Sequence, residues 1–236
     1  MTRKLPLKLC YTLILFVSFA MAGDIFRAKL YPEGEPDNLV YIHTNKITEI
    51  GDTTIFDHYY HTPEGQLHAH DQVVLVKGEP ISNFLNFDII EEHSSFVRQG
   101  DMAELSFEYK GKQKTHLRDL KTPLIFAPSQ QYALRGYLEQ LLKGETAIFY
   151  IFAPETVRLV KMKVQMLEGS QYQKPGCVVL QMKPNNFFID WLVDEVYYVI
   201  DTETGRIMEQ HGFSTIRVKN GDKWEFKDLD FYYSYE

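Results

Sequence analysis

The densest group of chemistry-bearing residues is a histidine-rich hairpin over 53–77. One arm carries Asp57-His58-Tyr59-Tyr60-His61 and the other His68-Ala69-His70-Asp71. Between them, Thr62-Pro63-Glu64-Gly65 reads as a type I turn closed by a left-handed glycine. Proline fits its second position, and glycine accepts the positive φ that follows. That turn sets Thr62 opposite Gln66, hence His58 opposite His70 and Tyr60 opposite His68. Side chains alternate along a strand, so His58, Tyr60, His68 and His70 then share a face. Three imidazoles from His58, His68 and His70 suit zinc, with a fourth position open to water. A water bound there would be acidified and would support hydrolysis or hydration. The competing reading is a solvated polar face, or imidazoles hydrogen-bonded across the pair. Asp57 and Asp71 fall on the other parity, and one slip of register dissolves the constellation.

Other catalytic patterns are absent: there is no G-x-S-x-G, no H-E-x-x-H and no phosphate-cradling glycine loop. Glu91-Glu92-His93 reads as a solvent-facing patch, and Arg118, Asp119 and Arg135 as surface or ion-paired groups. Cys177, within Gly176–Leu180, reads as a buried structural thiol with no base beside it. Zinc at the hairpin is therefore the one cofactor alternative to none, and no catalytic residue is assigned.

The element that must organise these strands is a helix at about 129–143. Leu134, Tyr137, Leu138, Leu141 and Leu142 fall at i, i+3, i+4, i+7 and i+8, an apolar stripe of 3.6-residue period. Pro128-Ser129 starts it, and Lys143-Gly144 stops it. Nearly every other segment reads as strand, with turns at Gly51-Asp52, Gly78-Glu79-Pro80, Gly100-Asp101, Gly111-Lys112, Thr204-Gly205 and Asn220-Gly221. In the strand over 39–50, Leu39, Tyr41 and His43 share a face. Segments 206–210 and 213–219 read as separate strands, and 184–192 as a loop or short turn carrying Phe187, Phe188 and Trp191. There is no βαβ alternation, so a parallel sheet is disfavoured. The expected class is mainly β with one principal helix (α+β), a curved antiparallel sheet or half-barrel wrapped around that helix. Leu134, Tyr137, Leu138 and Leu141, rimmed by Phe187 and Trp191, would wall an apolar ligand cavity; the alternative is an ordinary packed core.

Composition bounds the partners. Arg3, Lys4 and Lys8 precede an apolar run, Leu9–Phe19, and Ala20-Met21-Ala22. That order matches a secretory signal peptide over 1–22, followed by a single domain over 23–236. The run is short of the roughly 20 residues a membrane span needs. The flanking pattern suggests the periplasm, with the protein soluble after cleavage. Loss of the leader leaves Cys177 as the lone cysteine, so no internal disulfide is expected. The formal charge is −7 for the chain, and −10 once the three leader cations are removed. Such an acidic surface disfavours nucleic acid and anionic membranes.

A resemblance follows from Tyr132–Gly144 and from Tyr198-Val-Ile-Asp201-Thr-Glu-Thr-Gly205-Arg206 with His211-Gly-Phe-Ser214. A secreted meander with an embedded helix and an Asp–Thr–Gly strand turn resembles periplasmic lipoprotein carriers of the LolA type and related periplasmic half-barrel families. The resemblance is architectural. It implies a half-barrel closed by helix with an apolar interior, and it hands over no catalytic or ligand-binding residue. Three functions stay open: a non-catalytic carrier of an apolar small molecule or lipid, a zinc-binding protein or hydrolase, and an envelope scaffold that pairs with a protein partner through a sheet edge. Oligomeric state is not legible.

Overall fold

A computed structural model describes residues 25–185 and 195–236. The leader reading over 1–22, and Phe187 and Trp191, lie outside the described residues. The elements are β1 (Phe26–Pro32), β2 (Tyr41–Ile50), β3 (Thr53–His61), β4 (Leu67–Val76), β5 (Glu79–Phe87), β6 (Glu92–Gln99), β7 (Met102–Tyr109), β8 (Lys112–Asp119), α1 (Gln130–Leu142), β9 (Ala147–Ala153), β10 (Arg158–Met166), β11 (Cys177–Pro184), β12 (Val196–Asp201), β13 (Ile207–Asn220) and β14 (Lys223–Tyr235). All fourteen strands form one sheet in the order β8-β7-β6-β5-β4-β3-β2-β1-β14-β13-β12-β11-β10-β9. Neighbours in space are neighbours in sequence throughout, except β1 and β14, which zip the two ends of the domain together over Phe26–Pro32. The sheet is thus an up-and-down meander opened at one seam. The seam lies between β8 and β9, and the segment that spans it contains α1. This is the expected mainly β class with a curved, unclosed sheet.

Local chemistry explains the strands. In β1, Phe26, Ala28 and Leu30 are buried while Arg27 and Lys29 are exposed, a period of two with one face in the core. The 62–65 turn forms as expected: Gly65 has φ +90°, and the Thr62 amide donates to the Gln66 carbonyl at 2.8 Å. Where two strands were expected after Arg206, there is one. β13 runs through His211 and Gly212 unbroken, and a wide irregularity between Phe213 and Arg217 bends it against β14. Gly212 makes that path available. Its φ is +101°, and a Cβ there would sit 2.2 Å from the Glu195 carbonyl oxygen.

Helix α1 begins after a short 3₁₀ turn at Ala127–Ser129 and ends with Gly144 at φ +80°. Ser129 stands at the N-cap but does not cap; its hydroxyl donates to the Phe126 carbonyl instead. Leu134, Leu138 and Leu141 pack into a core with Phe149, Met162, Leu180 and Tyr198, so the helix covers the β9–β13 half of the concave face. A second core joins Phe96, Leu105 and Phe107 of the other half to Leu124, Phe126, Phe152 and Val157.

One side chain spans the curl between the halves. Arg217 of β13 donates from Nε to Glu92 of β6 and from Nη2 to Glu155, each at 2.6 Å. Its guanidinium lies 4.0 Å over the Phe226 ring. Its carbonyl, freed by the bend in β13, accepts from the Tyr41 hydroxyl at 2.8 Å and contacts His68 Nε2 at 3.1 Å.

Two outcomes follow from this packing. Arg217→Ala leaves Glu92 buried without its cation and is expected to cost about 3–5 kcal/mol in denaturant unfolding, whereas Glu155→Gln, half-exposed, costs under about 1 kcal/mol. Gly136 is exposed mid-helix, and an added methyl there would meet only open space. Gly136→Ala is therefore expected to raise stability by about 0.5–1 kcal/mol, read as a higher melting temperature.

Candidate ligand-binding cavity

The histidine hairpin pairs in a different register from the one its turn suggests. His61 faces Leu67, but Tyr60 faces Ala69, so His68 is the extra residue of a β-bulge. Beyond the bulge every partner moves by one: His58 faces Asp71, and Tyr59 faces His70. The expected face shared by His58, His68 and His70 is therefore not formed. His70 lies on the outer face, stacked on Tyr59 at 4.6 Å and bonded to Asp57 Oδ1 at 2.9 Å. His68 turns into the core, stacked between Tyr41 and Trp224. Only His58 faces the centre of the concave face. Among the described residues, no three His, Cys, Asp or Glu gather as a metal site. Cys177 is half-buried rather than buried, and burial pushes its thiol pKa up, which keeps it protonated.

The bulge brings other residues together. A transverse row of cross-strand neighbours runs Asn45, His58, Asp71, Leu85, Ser94 over β2 to β6. Four of these five are polar, and all five are buried. His43 and Tyr60 form the adjacent rung, their rings stacked at 4.4 Å, and the His43 and His58 rings lie 4.5 Å apart. Phe26 meets both imidazoles edge-on. The Asn83 amide donates to Asp71 Oδ1 at 2.7 Å.

These groups border an interior cavity of about 140 Å³. His43, His58, Asp71 and Ser94 line one side. Phe149, Met182 and Tyr198 line the other, and Phe213–Ile216 of the bent β13 form a third wall. The start of α1 covers it through Ala127, Gln130 and Gln131. Both ring nitrogens of His43, Nδ1 of His58 and the Ser94 hydroxyl are buried without a hydrogen-bond partner. Unpaired buried polar atoms are rare, since each costs about 1–3 kcal/mol.

The expected helix wall is displaced. Leu134, Leu138 and Leu141 are packed solid rather than lining this cavity. Tyr137 borders a separate, shallower groove of about 440 Å³ between α1, Leu75, Pro80 and Leu124. The expected shared face of Tyr41 and His43 points inward, and Asp71, Asn83 and Ser94, which no motif marks, are buried with it. Their signal was the row of polar residues at core parity on successive strands, readable only once the bulge is known.

Burial sets the charge states. It drives His43 well below its ordinary pKa, and a neighbouring His58 adds to the effect. His58 is lowered by burial to about 3, with the Asp57 charge opposing, and His68 to about 4, with its bond to the Arg217 carbonyl opposing. Burial raises Asp71 to about 7, against the Asn83 hydrogen bond. At neutral pH the cavity thus presents neutral imidazoles beside a carboxyl near its midpoint.

The signs of these shifts oppose each other. Folded histidines with depressed pKa contribute stability that is full above pH 6.5 and is lost as pH falls toward about 4 and about 3. Asp71, with a raised pKa, contributes stability at acid pH that is lost as pH climbs through about 7. Asp71→Asn is therefore expected to gain about 1–3 kcal/mol at pH 8 and to steepen the loss between pH 6.5 and 4. Thermal melts of both proteins across that range check it.

No protein-family model matches the sequence, and no curated protein matches it. Among solved structures the chain is similar to a β-barrel-like protein of the domain of unknown function DUF1849 from Brucella abortus. The two are 9% identical, the alignment covers 89% of this chain and 94% of that one, and the TM-score is 0.44.

Proposed function

We propose that this chain is a non-catalytic binding protein whose ligand is a small, largely apolar molecule with one polar end. The observation that carries the reading is the pairing of an interior cavity with buried, unpartnered polar atoms of His43, His58 and Ser94 on its wall. A core made for stability alone would place aliphatic residues there. A neutral imidazole offers one donor and one acceptor, which matches a hydroxyl, a protonated carboxyl or an amide. The opposite wall is aromatic and aliphatic. A cavity of about 140 Å³ is close to the size of engineered cavities that hold a benzene ring. The ligand is therefore one aromatic ring or a short acyl chain, rather than a whole lipid. A half-barrel with a helix on its concave face is what the resemblance to carriers of the LolA type implies, and a cleaved leader would place the protein in the periplasm.

His43→Phe separates ligand binding from folding. It preserves the stack on Tyr60 and removes two unpartnered nitrogens, so the unliganded protein is expected to gain about 1–2 kcal/mol. Phenol and short-chain alcohols should raise the melting temperature of the wild type and have little effect on the variant. The reading fails if no ring-sized probe shifts the wild type, or if the variant responds equally.

A further inference from the structure

We propose that β8 is a docking edge for an acidic, extended segment of a partner polypeptide, which adds to the sheet beside it. This site is separate from the interior cavity, and its test is independent of it. β8 ends the strand order, so among the described residues its outer backbone ladder has no strand partner. The opposite edge is different. There the 123–125 segment lies on β9, with the Ile125 amide donating to the Tyr150 carbonyl at 2.9 Å and the Tyr150 amide to that of Pro123 at 2.8 Å. All eight residues of β8 are exposed.

The ladder phase identifies the free groups. The Leu120 amide donates to the Asp101 carbonyl at 2.9 Å, and Asp119 faces Met102. Antiparallel pairs alternate between bonded and non-bonded, so Lys112, Lys114, His116 and Arg118 spend their backbone groups on β7. Gln113, Thr115, Leu117 and Asp119 turn theirs outward, an array for strand addition.

Side-chain charge selects the partner. The inner parity of β8 reads Lys112, Lys114, His116, Arg118, cationic or titratable at every position in a chain of net charge −7. Among the described residues, Lys112, Lys114, His116 and Arg118 form no ion pair with a carboxylate; Lys114 reaches only the Glu155 backbone oxygen at 3.4 Å. Edge lysines discourage indiscriminate pairing. Here they oppose a second copy of this edge, because pairing would set cations against cations. A strand with an acid at every second residue places its carboxylates against the same stripe, at cross-strand distances of roughly 4.5–5.5 Å.

A fluorescently labelled eight-residue peptide of alternating Glu and Val is the probe, read by anisotropy at low ionic strength. The comparators are a peptide of the same composition with its glutamates in one block, and a Lys-Val alternating peptide. The alternating acidic peptide is expected to bind at least tenfold more tightly than either, and to weaken as salt rises. Leu117→Pro removes one outward N–H and no bond to β7, so it should lose at least tenfold with an unchanged fold. A Lys112→Glu, Arg118→Glu double variant should lose at least as much, and it decides the matter alone should the proline variant not fold. Absence of binding, equal binding of the blocked peptide, or an unaffected charge-reversed variant overturns the proposal.

Discussion

The curl of the sheet rests on Arg217. Its guanidinium ties β13 to Glu92 on β6 and to Glu155 beyond β9, while its carbonyl receives Tyr41 from β2 and contacts His68 from β4. Four distant parts of the chain therefore meet at one residue. The bend in β13 makes this possible: residues 214–216 leave the register with β14, pairing resumes at Arg217 opposite Phe226, and the Arg217 carbonyl meets Tyr41 and His68. A buried ion pair of this kind adds little net stability relative to an apolar pair, but it is costly to break. Its value is geometric: it fixes how far the sheet rolls. Burial lifts the Glu92 pKa even though the Arg217 cation pulls it down, so the pair is held in a desolvated place rather than at the surface.

The bulge at His68 is the second constraint. One extra residue exchanges the partners of the two arms, sending Asp71 inward beside His58 and leaving Asp57 outside with His70 and Gln72. Without it, a carboxylate would leave the interior and two imidazoles would face each other. The interior row that results is expensive. Neutral histidines without partners and a carboxyl held near its midpoint oppose stability, and the apolar cores on either side must offset them. Four of the buried atoms without a partner, on His43, His58 and Ser94, lie on the wall of the cavity.

Helix α1 and the seam share a logic. A meander closed by one more pairing, β8 to β9, would have no edges. Instead the connecting chain leaves the sheet, lays 123–125 on β9, and folds α1 over the β9–β13 half. That choice protects one edge and leaves the other as a run of alternating cations. It also places the first turn of α1, rather than its leucine stripe, over the cavity. The stripe fills space; the turn leaves it.

Much of this was legible in one dimension. Alternating burial and turn residues specify antiparallel strands, because a period of two and a glycine at positive φ are local properties. The start and end of α1 at Ser129 and Lys143–Gly144 are equally local. So is the apolar face of Leu134, Leu138 and Leu141, although the sequence could not say whether that face meets a wall or a void. The register of the histidine hairpin was not legible. Its turn forms as its residues dictate, yet a bulge just beyond it reassigns every later side chain, since pairing depends on a twist imposed by the whole sheet. His43, Asp71 and Ser94 come together only through four successive registers. What the sequence alone determined was therefore which residues could face inward. Which of them meet, around what space, was decided by the accumulated registers and by the roll that Arg217 holds.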